Sequence, residues 1–285
     1  MSADSTAGWA PSKRFMAAAI VVVLVALGIS WAIVVKMSSR SATTALVGSD
    51  LHAVAQSGDR VFVSGHAAAA YSDQPGSWTP IAGLSGKDAM AWSIGKSDII
   101  VGGHEGAFRS TDNGATFTPV PGLPVTDVHA TGASGATAYV ASPTGGFYVS
   151  HDAGGTWTRV SATGESFMGR LLVDPANPLR VMAADVLQGV VQTTDGGHKW
   201  TVLGGIEGPV GLNWNPVSHK QIVVTAPSDA GISLDGGSSW IALPVPAGTS
   251  AVGFDNSGRL VAAVLTGQSA TLSVSSDLGT SWSSR

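Results

Sequence analysis

The chain has 285 residues, a formal net charge of -4 and no cysteine, which rules out disulfides, thiolate metal ligands, cysteine nucleophiles and a lipid-modified cysteine. Thirty-seven Gly, fourteen Pro and only 12% charged residues describe many short strands joined by tight turns, with little helix. Four of the fifteen Lys and Arg lie in the first forty residues, so the remainder is more acidic still and no nucleic-acid partner is expected.

Phe15 to Val35 is an uncharged run of 21 residues, about the length a helix needs to cross the bilayer hydrocarbon. Lys13 and Arg14 precede it; Lys36 and Arg40 follow. The run exceeds the apolar core of a cleaved signal peptide, and its exit, Val35-Lys36-Met37, lacks the small residues of a cleavage site. The sequence therefore predicts a cytoplasmic stub over 1–14, a transmembrane helix over 15–36, a polar linker over 37–44 and a globular part over 45–285. Basic residues lie near both ends of the helix, so the positive-inside rule does not orient it. The globular part is assigned to the outside of the cell membrane from the general usage of N-terminal signal anchors.

The globular part repeats itself. Octets running from Ser110 to Phe117, Ser150 to Trp157, Thr193 to Trp200, Ser233 to Trp240 and Ser275 to Trp282 share the pattern S/T-x-D-x-G-x-T/S-aromatic, with Lys199 in the seventh place of the third; Tyr71 to Trp78 is a worn sixth copy. Their terminal aromatics fall at 78, 117, 157, 200, 240 and 282, spaced 39 to 43 residues apart, the length of a four-stranded propeller blade. The pattern resembles the Asp-box (BNR) repeat of bacterial sialidases, sortilin-type receptors and the photosystem II assembly factor. That resemblance implies an all-β, six-bladed β-propeller over 45–285, each octet forming the hairpin between the third and fourth strands of a blade.

The residues agree with that placement. Asp-Asn-Gly and Asp-Gly-Gly suit tight hairpins, and the small hydroxyls can satisfy turn backbone. Asp73, Asp112, Asp152, Asp195, Asp235 and Asp277 are accordingly read as structural, with the octet aromatics buried between blades. Alternation places the strands of the third blade at 125–131, 137–141, 146–150 and 157–160. The last blade ends in a stub at Trp282-Ser-Ser-Arg285, and Thr43 to Val47 is the segment available to complete it and cover an exposed strand edge.

Aligned on the octets, the innermost strands begin Asp50-Leu51-His52-Ala53, Asp88-Ala89-Met90-Ala91, Asp127-Val128-His129-Ala130 and Phe167-Met168-Gly169. Residues i and i+2 share a strand face, which points Asp50, His52, Asp88, Met90, Asp127, His129 and Met168 at the central channel. His66 and His104 follow the second strands of two blades and fall at the same end. Imidazole with thioether suits copper, Cu(I) above all, whereas imidazole with carboxylate suits zinc or another divalent ion. A polar small-molecule or peptide pocket and a purely structural wet pore are the competing readings. Arg170 and Trp92 are further channel candidates, while His151, His198 and His219 read as solvated turn residues.

A sialidase would need an arginine triad, a Tyr nucleophile with a Glu partner and a Phe-Arg-Ile-Pro motif, and this set is not found. A generic glycoside hydrolase needs only two carboxylates, for which Asp50, Asp88, Asp127, Glu105 and Glu165 are candidates. Serine-nucleophile, P-loop and dinucleotide motifs are absent. The expectation is a membrane-anchored extracytoplasmic propeller, leaning away from an enzyme. It binds a ligand at one channel end, a copper-type ion first, with a protein-binding or assembly scaffold as the alternative.

Overall fold

A computed structural model describes residues 43–95 and 98–285; the predicted stub, the transmembrane helix and most of the linker lie outside them. Among the described residues no helix is long and apolar enough to cross a membrane, and the only helix is a single 3-10 turn, Ala82–Leu84. Everything else is strand or turn. The strands form short antiparallel meanders whose spatial order follows the chain, such as Leu51–Ser57, Arg60–Gly65, Ala69–Gln74 and Ser77–Pro80. Four sheets have four or five strands. The fifth has eight and consists of two such meanders joined by parallel pairing of Ala130 with Gly169 and Thr131 with Arg170.

The arrangement is propeller-like. The first strands of successive meanders, Leu51–Ser57, Ala91–Ile94, Ala130–Ser134, Phe167–Val173, Gly211–Trp214 and Thr249–Phe254, contact one another in turn, and the last returns to the first. In the final sheet, Ser269–Ser275 pairs on its outer edge with two separate pieces, Ser283–Ser284 and Ala45–Leu46. The two pieces share one edge that neither is long enough to cover.

Packing between the sheets is organised around the octet aromatics. Trp78, Phe117, Trp157, Trp200, Trp240 and Trp282 each belong to a different one of the six apolar clusters, and each cluster joins residues of two neighbouring meanders. Trp78 sits with Leu51 and Val63 of the first meander and Ala263 and Leu272 of the last. Trp200 meets Phe167 edge-on at 4.7 Å and Phe147 at 5.3 Å between ring centres. Trp78 and Phe117 are buried, where truncation costs about 3–5 kcal/mol, while Trp157, Trp200, Trp240 and Trp282 are half-buried rather than enclosed as expected.

Five octets adopt one hydrogen-bonded turn. In the fourth, Ser233 Oγ accepts from the Gly237 N–H at 2.8 Å and donates to Asp235 Oδ1 at 2.8 Å. Asp235 in turn accepts from the N–H and the hydroxyl of Ser239 at 2.9 and 2.6 Å. The fourth and fifth positions both have positive φ, as in Ala153 (58°) and Gly154 (89°), the conformation of a type I′ turn.

The sixth octet departs from the expectation. Its strand Ala69–Gln74 runs through the Asp position, and Asp73 instead takes both guanidinium branches of Arg60, at 2.7 and 2.9 Å. Pro75 precludes the shared turn, because it cannot adopt positive φ at the fifth position, yet Trp78 still reaches its cluster.

Two stability predictions follow from these turns. Ala153→Gly removes a left-handed alanine and should raise stability by about 0.5–1 kcal/mol, whereas Ser233→Ala strands the Gly237 N–H and should lower it by about 1–3 kcal/mol. Urea unfolding of the two variants would reveal both signs.

Acid sensitivity is the other consequence. Asp152, Asp235 and Asp277 are held down at about 2, by the Thr156 N–H and by the hydroxyls of Ser239 and Ser281 respectively. A depressed folded-state value gives stability that is complete above the unfolded value near pH 4 and is lost as pH falls through about 2. Melting temperature should therefore drop steeply across that window, and Asp235→Asn should flatten the drop.

Candidate functional site

The site lies where the first strands begin. Asp50, Asp88 and Asp127 stand just before or at the start of successive first strands, and His66 and His104 directly follow second strands. Glycine makes the approach possible. A Cβ on Gly65 would lie 1.8 Å from the Asp50 carbonyl oxygen, and one on Gly103 would lie 1.6 Å from that of Asp88. The same glycines accept hydrogen bonds from the next meander: Gly65 O from the Ala89 N–H at 3.2 Å and Gly103 O from the Val128 N–H at 3.0 Å. Each Gly-His pair thus ties two meanders together at the point where it presents an imidazole.

The four histidines form a ladder. Ring centres are 5.7 Å apart for His52 and His66, 6.0 Å for His66 and His104, and 5.4 Å for His104 and His129. Asp88 lies buried beneath its middle, with Oδ1 3.0 Å from His52 Nε2 and Oδ2 3.0 Å from His104 Nδ1 and 3.7 Å from His66 Nδ1. Asp127 Oδ1 is 3.0 Å from His129 Nε2, and Asp50 Oδ2 is 3.9 Å from His52 Nδ1. These distances are short, but the N–H directions miss the oxygens. Both Asp88 oxygens, His52 Nε2, Asp127 Oδ1 and His129 Nε2 are buried without an aligned hydrogen bond. These buried polar atoms meet one another and His104 Nδ1 as close ion pairs.

Asp50-His52-His66, His66-Asp88-His104 and His104-Asp127-His129 each bring three ligand atoms within 4.8 Å of one another. Neutral imidazole and ionised carboxylate are the donors that borderline divalent ions select. The protonation states fit in part. Burial opposes charge on His52, but the neighbouring Asp88 carboxylate outweighs it and raises the pKa, while burial lowers that of His129, helped by His104 and resisted by Asp127. Burial would raise Asp88, yet His52 and the other imidazoles hold it below the ordinary carboxylate range.

Several expectations are refined here. Asp88, Met90, Asp127 and His129 precede their strands, Ala91–Ile94 and Ala130–Ser134, rather than lying within them, so the third blade's first strand starts later than alternation implies. Asp88 faces histidines of its own and the preceding meander, not its sequence neighbour Met90. Met90 and Met168 share a cavity of about 450 Å³ with Asp50 and His52. Trp92, a channel candidate, is 2% exposed, packs on Phe62 and Phe117, and donates to Ser64 Oγ at 2.7 Å. Glu105 is engaged by the Asp88 N–H at 2.9 Å. His219, read as a turn residue, stacks on Trp214 at 4.2 Å between ring centres and lines the channel's other end. Its position directly before Lys220 in a polar turn carried no sign of this.

No family model matches the chain, and no curated protein sequence matches it. Solved structures do. A GH74 xyloglucanase from Xanthomonas campestris is 15% identical with a TM-score of 0.58 over 86% of this chain, which spans 46% of the enzyme. PorZ, a surface component of the type-IX secretion system of Porphyromonas gingivalis, is 13% identical with a TM-score of 0.54, over 86% of this chain and 39% of PorZ. A Bacteroides thetaiotaomicron protein of unknown function reaches 0.63 at 12% identity, over 80% of this chain and 70% of that one. These likenesses are of fold alone.

The opposed shifts of His52 and His129 are testable. Stability contributed by His52 is complete below pH 6.5 and lost as pH rises through its higher folded value; that of His129 is complete above pH 6.5 and lost as pH falls. In an NMR titration His52 should titrate above His129, and Asp88→Asn should lower the His52 value by leaving Asp50 alone to oppose burial.

Proposed function

We propose that this chain is a six-bladed propeller of Asp-box repeats, tethered outside the cytoplasm by the Phe15 to Val35 segment, that binds a late first-row transition-metal ion at one end of its channel. The blade count is supported by six inter-sheet clusters with one octet aromatic in each. The Asp-box reading is supported by the turn that five octets share. The anchor rests on the length and flanks of the apolar run.

The observation that carries the metal reading is Asp88, a buried carboxylate with three imidazoles around it and no aligned hydrogen bond on either oxygen. His66, Asp88 and His104 would be the ligands, leaving a fourth position open toward solvent because His66 and His104 are exposed. This set suits zinc or copper(II). Met90 and Met168, in the cavity beside His52, extend the choice to Cu(I), whose softness thioethers match. A glycosidase reading is less well supported, since a general acid needs a raised pKa and that of Asp88 is lowered.

Calorimetric titration of the metal-stripped chain with Zn²⁺ and Cu²⁺ should show saturable binding that Asp88→Asn and His104→Ala each abolish. Ion at about 100 times its Kd should stabilise the fold by about 2.7 kcal/mol. Binding that survives both substitutions would remove the site.

A further inference from the structure

The channel has a second chamber that the histidine ladder does not use. Beyond the cavity of about 450 Å³ at the His52 end, it narrows to about 20 Å³ between His52, Met90, Trp92 and Arg170, room for about one water. It then widens to about 350 Å³ at the opposite strand ends, where Gln56, Arg170, Asn213, Trp214, His219 and Phe254 are among the lining residues. Among the described residues no acidic side chain lines this chamber.

Arg170 stands out by its place on the channel wall. Arg60, Arg109, Arg180 and Arg259 pair with carboxylates and Arg159 donates to the Gly145 carbonyl, while Arg285, also without a carboxylate partner, lies away from the channel. Among the described residues Arg170 has no carboxylate partner and donates no side-chain hydrogen bond, and burial alone pushes it down to about 10. It is still cationic at neutral pH. A bulge puts it there: Met168 pairs with Ala184 and Leu172 with Met182, leaving Gly169 to Leu171 opposite a single residue, with Gly169 at φ 71°. Bulges re-aim side chains next to sites, and the area that Arg170 keeps exposed belongs to the channel wall. Arg170 is half-buried, and a guanidinium that faces the chamber with no carboxylate beside it leaves its positive charge free to take an anion.

We infer that Arg170 anchors a second site, which takes a small monocarboxylate with an apolar body in the chamber at the Trp214 and His219 end of the channel. One fixed positive charge balances a monoanion, whereas a phosphate dianion would leave charge unmatched in a poorly solvated space. The planar guanidinium fork matches a carboxylate in two parallel hydrogen bonds. Ile94 and Trp214 supply the apolar part of a lining that also presents the amides of Gln56, Asn213 and Asn256. The source is either a free acid or the C-terminus of a peptide, which share this chemistry.

The test uses the full chain, stripped of metal on a chelating resin so that the outcome is independent of the ladder. Phenylacetate should bind by calorimetry, phenylacetamide should not, and inorganic phosphate should bind more weakly than phenylacetate. Acetyl-Gly-Phe binding more tightly than phenylacetate would assign the site to peptide termini, and the reverse order to free acids. Arg170→Gln should weaken phenylacetate by about 10- to 100-fold, with Arg170→Lys between it and the parent. Because the Arg170 side chain makes no hydrogen bond or ion pair within the described residues, Arg170→Gln should melt no lower than the parent. Equal phenylacetate binding by Arg170→Gln, no binding by the parent at millimolar concentration, tighter phosphate binding, or a lower melting temperature for Arg170→Gln would each overturn the inference.

Discussion

No sheet in this protein can bury both its faces alone; each is covered only by the sheets beside it. The octet aromatic is the piece that fills the gap, and its presence in every inter-sheet cluster makes the ring a set of linked contacts rather than a stack with a free end. Closure is therefore a packing requirement. With few charges, no disulfide and short strands, stability comes from apolar area removed from water, and an open junction would expose both a sheet face and a strand edge.

That same closure creates the site. Bringing first strands together around an axis forces the backbone of one meander against the start of the next, and Gly65 and Gly103 are the points of contact. His66 is then delivered to Asp88 of the next meander, and His104 stands between Asp88 of its own meander and Asp127 of the next. The ladder is thus made between meanders, and no single one contains it. Its carboxylates and imidazoles share the cost of burial by opposing each other's charge, which is why Asp88 stays ionised in a buried place.

The two ends of the channel are chemically unlike. One carries aspartates, imidazoles and thioethers; the other, among the described residues, carries amides, the stacked Trp214 and His219 rings and a guanidinium with no carboxylate partner. The narrow waist between them keeps the two environments apart, so a cation and an anion can be held by one scaffold without neutralising each other.

Much of this was legible in the order of residues. The octet period, the strand and turn chemistry, the inter-sheet aromatics and the gathering of His52, His66, His104 and His129 at one end all follow from local patterns, because alternation and turn preference act within a few residues along the chain. The rest depended on partners far apart in sequence. That Asp73 pairs with Arg60, that Trp92 turns into the core, that Asp88 faces two meanders at once and that a bulge aims Arg170 into the channel are decided by which surfaces meet and by the register that packing imposes. Local pattern carries the repeat; only the closed ring sets which side chains stand within reach of one another.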